Sequence, residues 1–304
     1  MKFASRLICA LLILSTTGCG RSDRSTAESE TVGTDNSTPT GTAGELYTLH
    51  CAACHGEMGD GQGVGARTVF PSPRNFRAGW FRLVSSPSLK PTAADIERVI
   101  SRGMPGSSMP AFEKVNAADR RLLAEHVLSL WREGVRQRLI AELASNGEQA
   151  TEDEIEELVD DYALVDDKVN IPAFGSPSSQ SIETGKAIYF QQSCQSCHGK
   201  NGMGDWDVSL FDNEGELVRP RDLVHESFKG GQEPDSIYMR ILLGMPGSPH
   251  PSNANLSQSE LMDLVHFVRS IGADEKIVLT GYQRRLYASS RVYLRSINQT
   301  PPNN

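Results

Sequence analysis

The chain has 304 residues, of which 38% are hydrophobic, and a formal net charge of −8 from 30 Lys and Arg against 38 Asp and Glu. That balance excludes a polytopic membrane protein and makes nucleic acid an unfavourable partner, while the length corresponds to about two domains at roughly 100–200 residues each.

At the N-terminus, Lys2 and Arg6 precede the apolar run Leu7–Leu14. The run is shorter than the roughly 20 residues that cross a bilayer, and its charged-then-apolar order is that of an export signal. It ends in Leu14-Ser15-Thr16-Thr17-Gly18-Cys19, which resembles a bacterial lipoprotein signal, although Thr16 stands where that signal usually has Leu. The resemblance implies that residues 1–18 are a signal peptide and that Cys19 is lipidated. It further implies a periplasmic or cell-envelope protein anchored to the membrane at its N-terminus. Ordinary secretion, with Cys19 discarded or left as a free thiol, is the alternative. Residues 19–43, rich in Ser, Thr, Gly and Asp, bury too little apolar surface to offset the entropy of ordering them, and are read as a flexible tether.

Two blocks then repeat each other. The first contains Gly44-Glu45-Leu46-Tyr47, Cys51-Ala52-Ala53-Cys54-His55-Gly56, Pro73-Arg74-Asn75-Phe76 and Gly103-Met104-Pro105-Gly106-Ser107-Ser108-Met109-Pro110, and closes on a helical pattern over Asp119–Trp131. The second contains Gly185-Lys186-Ala187-Ile188-Tyr189, Cys194-Gln195-Ser196-Cys197-His198-Gly199, Pro220-Arg221-Asp222-Leu223 and Gly244-Met245-Pro246-Gly247-Ser248-Pro249-His250-Pro251, and closes on Glu260–Ile271. The blocks are assigned to domains at 44–135 and 182–275, with a linker at 136–181 and a tail at 276–304. Within the linker the acidic stretch Glu148–Asp167 carries Ile155, Leu158, Val159, Tyr162 and Leu164 near helical spacing, which predicts a short amphipathic helix whose charges form a solvated face. A docking site for a basic partner is the alternative reading of that run.

Cys-x-x-Cys-His is the attachment signature of c-type haem. Thiols at i and i+3 share one face of a helical turn and can add to the two porphyrin vinyl groups, and the following histidine then lies beneath the iron. Two copies predict two haem c groups, held by Cys51, Cys54, Cys194 and Cys197 with His55 and His198 as iron ligands. A disulfide or a shared four-cysteine zinc site is conceivable in an exported protein, but neither calls for a histidine after each second cysteine.

Each block resembles a class I cytochrome c domain, and the chain resembles a two-haem bacterial cytochrome c over about residues 44–131 and 182–272. The resemblance implies an all-α fold in which an N-terminal helix bearing Tyr47 or Tyr189 crosses a C-terminal helix, and a loop between them supplies the distal iron ligand. In the first block that ligand is Met109 of Met109-Pro110-Ala111-Phe112, with Met104 as competitor. Aligning the turns places His250 opposite Met109, so the second block is expected to have two histidine ligands, with Met245 as the alternative distal ligand and an open iron as the least favoured. The resemblance also implies that the carbonyls of Pro73 and Pro220 accept from the proximal histidines. Arg74 and Arg221 are candidates for pairing with haem propionates, or else ordinary surface arginines.

The remaining aromatic residues and histidines take plainer roles. His126 is expected to pack against the N-terminal helix, His266 to keep a partly exposed edge, and His50 and His225 to lie near propionates at most. Trp80, Trp131 and Trp206 read as pocket or helix-packing residues. In the tail, Tyr282, Leu286, Val292 and Tyr293 fall near one helical face with the arginines largely off it, which suggests a helix docked on the protein itself. The expected function is single-electron transfer between periplasmic or membrane redox partners that present a basic docking face. The alternative is a two-haem enzyme such as a peroxidase, which would need a labile distal position and a nearby acid-base group.

Overall fold

The computed structural model describes residues 38–204 and 210–284. The proposed signal peptide, Cys19, most of the tether, Trp206 and the tail beyond Arg284 lie outside the described residues. In chain order the helices are α1 (Ala43–His50), α2 (Ala52–His55), α3 (Ala93–Arg102), α4 (Ala117–Ser145), α5 (Glu152–Ala163), α6 (Ser179–Gln191) and α7 (Gln195–His198), then α8 (Pro234–Leu243) and α9 (Gln258–Ser270). Two short strands, β1 (Leu210–Phe211) and β2 (Leu217–Val218), form an antiparallel hairpin between α7 and α8. Among the described residues the fold is all-α apart from this hairpin. Among the described residues no helix is long and apolar enough to cross a membrane.

Several helices start where the sequence supplies a side chain for the first free amides. Capping boxes pair Thr42 with Glu45, Thr92 with Asp95, Thr151 with Glu154 and Ser257 with Glu260, each satisfying donors at both ends of the turn. In the first half α1 lies on α4, around buried Leu46, Tyr47, Leu123, Ala124 and Val127. In the second half α6 lies on α9, around Ile188, Tyr189, Leu261, Leu264 and Val265. α3 and α8 occupy the same place in the two halves, and each ends on a positive-φ glycine, Gly103 or Gly244.

The linker departs from expectation. α4 runs to Ser145, well beyond the pattern ending at Trp131, because no proline or loop-forming cluster interrupts it. α5 then folds back so that Ile155 and Val159 bury against Trp131 and Val135. The acidic run is therefore more than a solvated face: Glu152, Glu156 and Asp160 pair with Arg132 and Arg136 of α4. Of the predicted apolar positions, Leu158, Tyr162 and Leu164 stay exposed.

Both repeats belong to one compact unit, and several polar pairs join them. The hairpin of the second half reaches the first, with Asp212 pairing with Arg82 at 2.5 Å, Glu214 with Arg74 at 2.7 Å, and Glu216 with Ser72. Arg240 of α8 donates to the carbonyls of Arg82 and Val84. The tail begins by pairing Ile277 alongside Glu226. Its Arg284 is buried against Glu226 at 2.9 Å while Tyr282 is exposed. The fully buried carboxylate of Glu226 requires cations, and of the apolar face expected of the tail only Tyr282 is among the described residues.

Candidate haem centres

Each Cys-x-x-Cys-His segment forms one helical turn, closed by His55 N donating to Cys51 O and His198 N donating to Cys194 O, both at 2.9 Å. The preceding helix fixes each turn from the side. Tyr47 Oη donates to Gly56 O at 2.8 Å and Tyr189 Oη to Gly199 O at 2.7 Å, and burial pushes both phenols up in pKa. All four thiols are unbridged, and burial raises Cys51 to about 11 and also raises Cys194. Among the described residues no group of three or more His, Cys, Asp or Glu side chains is placed to hold a metal ion.

The proximal histidines are oriented identically. His55 Nδ1 lies 3.0 Å from Arg74 O, and His198 Nδ1 lies 3.0 Å from Arg221 O. A carbonyl only accepts, so Nδ1 carries the proton and Nε2 keeps its lone pair for a metal. Burial lowers both imidazole pKa values, opposed by these carbonyls and assisted by the neighbouring guanidinium charges. The acceptors are thus the arginine carbonyls, one residue beyond the expected Pro73 and Pro220. The proline carbonyls face elsewhere: Pro220 O accepts from Arg284 at 3.1 Å, and Pro73 O lies against Gly61, where a Cβ would sit 2.6 Å away.

The turns carrying Met109 and His250 are superimposable in their hydrogen bonds. Met104 N donates to Met109 O at 3.1 Å and Met245 N to His250 O at 3.2 Å. Ser107 Oγ donates to Met104 O at 2.6 Å and Ser248 Oγ to Met245 O at 2.7 Å. Gly103 and Gly244 are obligatory here, since a Cβ would stand 2.6 Å from Pro110 C in one half and 2.7 Å from Pro251 C in the other. In the second half this turn borders a cavity of about 790 Å³ that Cys194, Cys197, His198, Met245 and His250 also line. The His198 and His250 ring centroids are 6.2 Å apart. Burial and the neighbouring His198 lower His250 to about 4, so its imidazole is neutral and available as a ligand. In the first half His55 stacks on Phe76 with centroids 4.4 Å apart.

The cytochrome c family model matches residues 42–131 and 182–272. The chain belongs to the cytochrome c family. Membership implies covalently bound haem c with its iron, and single-electron transfer as the function. A chain of the Kuenenia stuttgartiensis reducing HAO-like protein complex Kustc0457/Kustc0458 is similar in structure, with a TM-score of 0.63 and 30% identity over 78% of this chain and 100% of that chain. No curated protein matches.

Arg74 gives its side chain to Glu214, and Arg221 lines the cavity while bonding Glu226 and Pro105 O. His126 packs on Tyr47 at 4.7 Å, and burial lowers its pKa. His266 is buried and bonded to Ser181 at 2.5 Å, without the exposed edge expected of it, because Ser181 and Phe174 cover the ring. His225 pairs with Asp222 and His50 lies near Phe112. Trp131 packs in the α4–α5 cluster, and Trp80 covers Gly247 across the halves. Sequence reasoning passed over Arg82, Arg219, Lys229 and Arg240, all of which line the cavity of the second half. Phe228-Lys229-Gly230-Gly231 offers no sign that its lysine faces inward.

Proposed function

We propose that this protein is a two-haem electron carrier whose first haem is held by Cys51, Cys54, His55 and Met109 and whose second is held by Cys194, Cys197, His198 and His250. The observation that carries this reading over a peroxidase is the 6.2 Å between the His198 and His250 rings. Two imidazoles on opposite sides of one metal, each with a metal–nitrogen bond of about 2 Å, require centroids about 6 Å apart. With His250 as a second ligand beside His198, no position on the iron would be left open for peroxide. The haem iron supplies one-electron chemistry when bound. The chain's own residues hold and orient it: Arg74 O and Arg221 O fix the proximal tautomer, and the two Met-Pro-Gly turns present the distal side chains.

A thioether ligand raises the reduction potential relative to imidazole, so the first haem is the higher-potential one and electrons pass from the second half to the first. Redox titration is expected to give two steps, with Met109→Ala moving only the upper one. A single step, or an upper step that stays put, would overturn the assignment. Low-temperature EPR with near-infrared MCD distinguishes sulfur from bis-imidazole ligation haem by haem, and peroxide turnover with an electron donor would favour the enzyme.

The leader sequence supports an exported protein anchored through lipid at Cys19, testable by the mass of the mature N-terminus. The similar chain is part of a complex, which supports a carrier that works among redox proteins. The net charge of −8 favours a partner with a basic face, so electron-transfer rates should fall with added salt. Salt-independent rates would argue for an uncharged docking face.

A further inference from the structure

The cavity of the second half is lined by six cationic side chains, Arg82, Arg219, Arg221, Lys229, Arg240 and Arg284, and by no Asp or Glu among the described residues. This occurs in a chain whose formal charge is −8. Several of these cations are held from behind. Arg82 pairs with Asp212, Arg221 and Arg284 share Glu226, and Arg240 donates to backbone carbonyls. Lys229 is different: its ammonium has no hydrogen-bond or ion-pair partner among the described residues. Loss of water, with the charges of Arg221, Arg82, Arg284 and Arg74, holds its pKa well below the ordinary lysine value.

An ammonium in that setting is unfavourable until an anion joins it. The rest of the cavity says what kind of anion. Its walls include buried Ile237, Ile241, Leu264 and Val268, and its metal-binding imidazoles belong to the same space. The occupant has an apolar body and carboxylates at one edge, which is the chemistry of a haem with its propionates. Arg82 and Gly106 come from the first half, so the cationic end is complete only when both halves are present.

We propose that Lys229, completed by Arg82 across the half-to-half contact, clamps the haem carboxylates in this cavity and holds that haem's reduction potential above the value its two imidazoles alone would set. The proposal rests on the two-haem reading above. A cation near the iron favours the ferrous state, which carries one positive charge fewer, and it does so more strongly where water is excluded.

The test compares Lys229→Met and Lys229→Arg with the wild-type two-haem protein, each haem being followed in a potentiometric titration by its own ligand-specific spectrum. Lys229→Met is expected to shift the second haem's oxidised-to-reduced ratio toward oxidised by about tenfold, or 59 mV for one electron, with the first haem unmoved and Lys229→Arg near wild type. An unmoved second haem, or equal shifts in both haems, overturns the clamp. If Lys229→Met fails to mature at Cys194 and Cys197 while Lys229→Arg succeeds, the requirement for charge is supported; if both fail, it is overturned. A wild-type potential that depends on inorganic phosphate, and loses that dependence in Lys229→Met, would assign the lysine to a free anion and overturn its assignment to haem. Wild-type protein whose intact mass lacks a second haem defeats the two-haem reading itself, and the clamp with it, whereas the variants' potentials bear on the clamp alone.

Discussion

At Gly185 of α6, a Cβ would drive into the carbonyl of Asp263 on α9 and come within 2.9 Å of Phe267 Cβ. Gly185→Ala is therefore expected to cost about 1–3 kcal/mol through overpacking. Gly44 of α1 has nothing within 4 Å of its Cβ direction, so Gly44→Ala should be neutral or stabilise by up to about 1 kcal/mol, since alanine loses less backbone freedom in a helix. Denaturant unfolding of the haem-loaded protein checks both, and equal effects would contradict the asymmetry. The sequence presents these glycines as counterparts, yet the interval to the tyrosine is three residues in one block and four in the other. One residue turns a helix by about 100°, which carries Gly44 off the contact. The equivalence of Met109 and His250 was legible because flanking glycines and serines carry the register of the turn. The carbonyl that receives each proximal histidine was not, because a one-residue shift along a backbone leaves no trace in side-chain identity.

Among elements, the α4–α5 pair is the part whose existence was half visible. The apolar spacing of Ile155 and Val159 marked a helix, but its partner was hidden, since nothing in the sequence shows that the acids of α5 lie opposite Arg132 and Arg136. Trp131 is 2% exposed at the centre of this cluster. Trp131→Ala is expected to cost about 3–5 kcal/mol and to release α5 to limited proteolysis. Both reduction potentials should stay where they are, because the cluster contains neither Cys-x-x-Cys-His turn. A changed potential would mean that α5 supports the first haem centre after all.

For the whole molecule, duplication and fold class were readable because each half carries its own complete set of motifs. The contact between the halves was not, because it is made by charged loop residues whose partners lie more than a hundred positions away, as Arg82 and Asp212 do. Asp212 is 3% exposed in its side chain and Arg82 is 11% exposed. Removing one member of so buried a pair costs about 3–5 kcal/mol, because the other charge is left uncompensated. Asp212→Ala is accordingly expected to split thermal unfolding into separate transitions for the two halves, read by calorimetry. A single unchanged transition would show that other contacts suffice to couple them.

The hairpin also bears on ancestry and engineering. Its three acidic side chains belong to one copy and the arginines and serine they grip belong to the other, so the copies have ceased to be interchangeable. A polypeptide made of the first copy twice would keep both sets of thiols and imidazoles. It would lack the arm that fastens neighbour to neighbour, and would behave as two beads on a string.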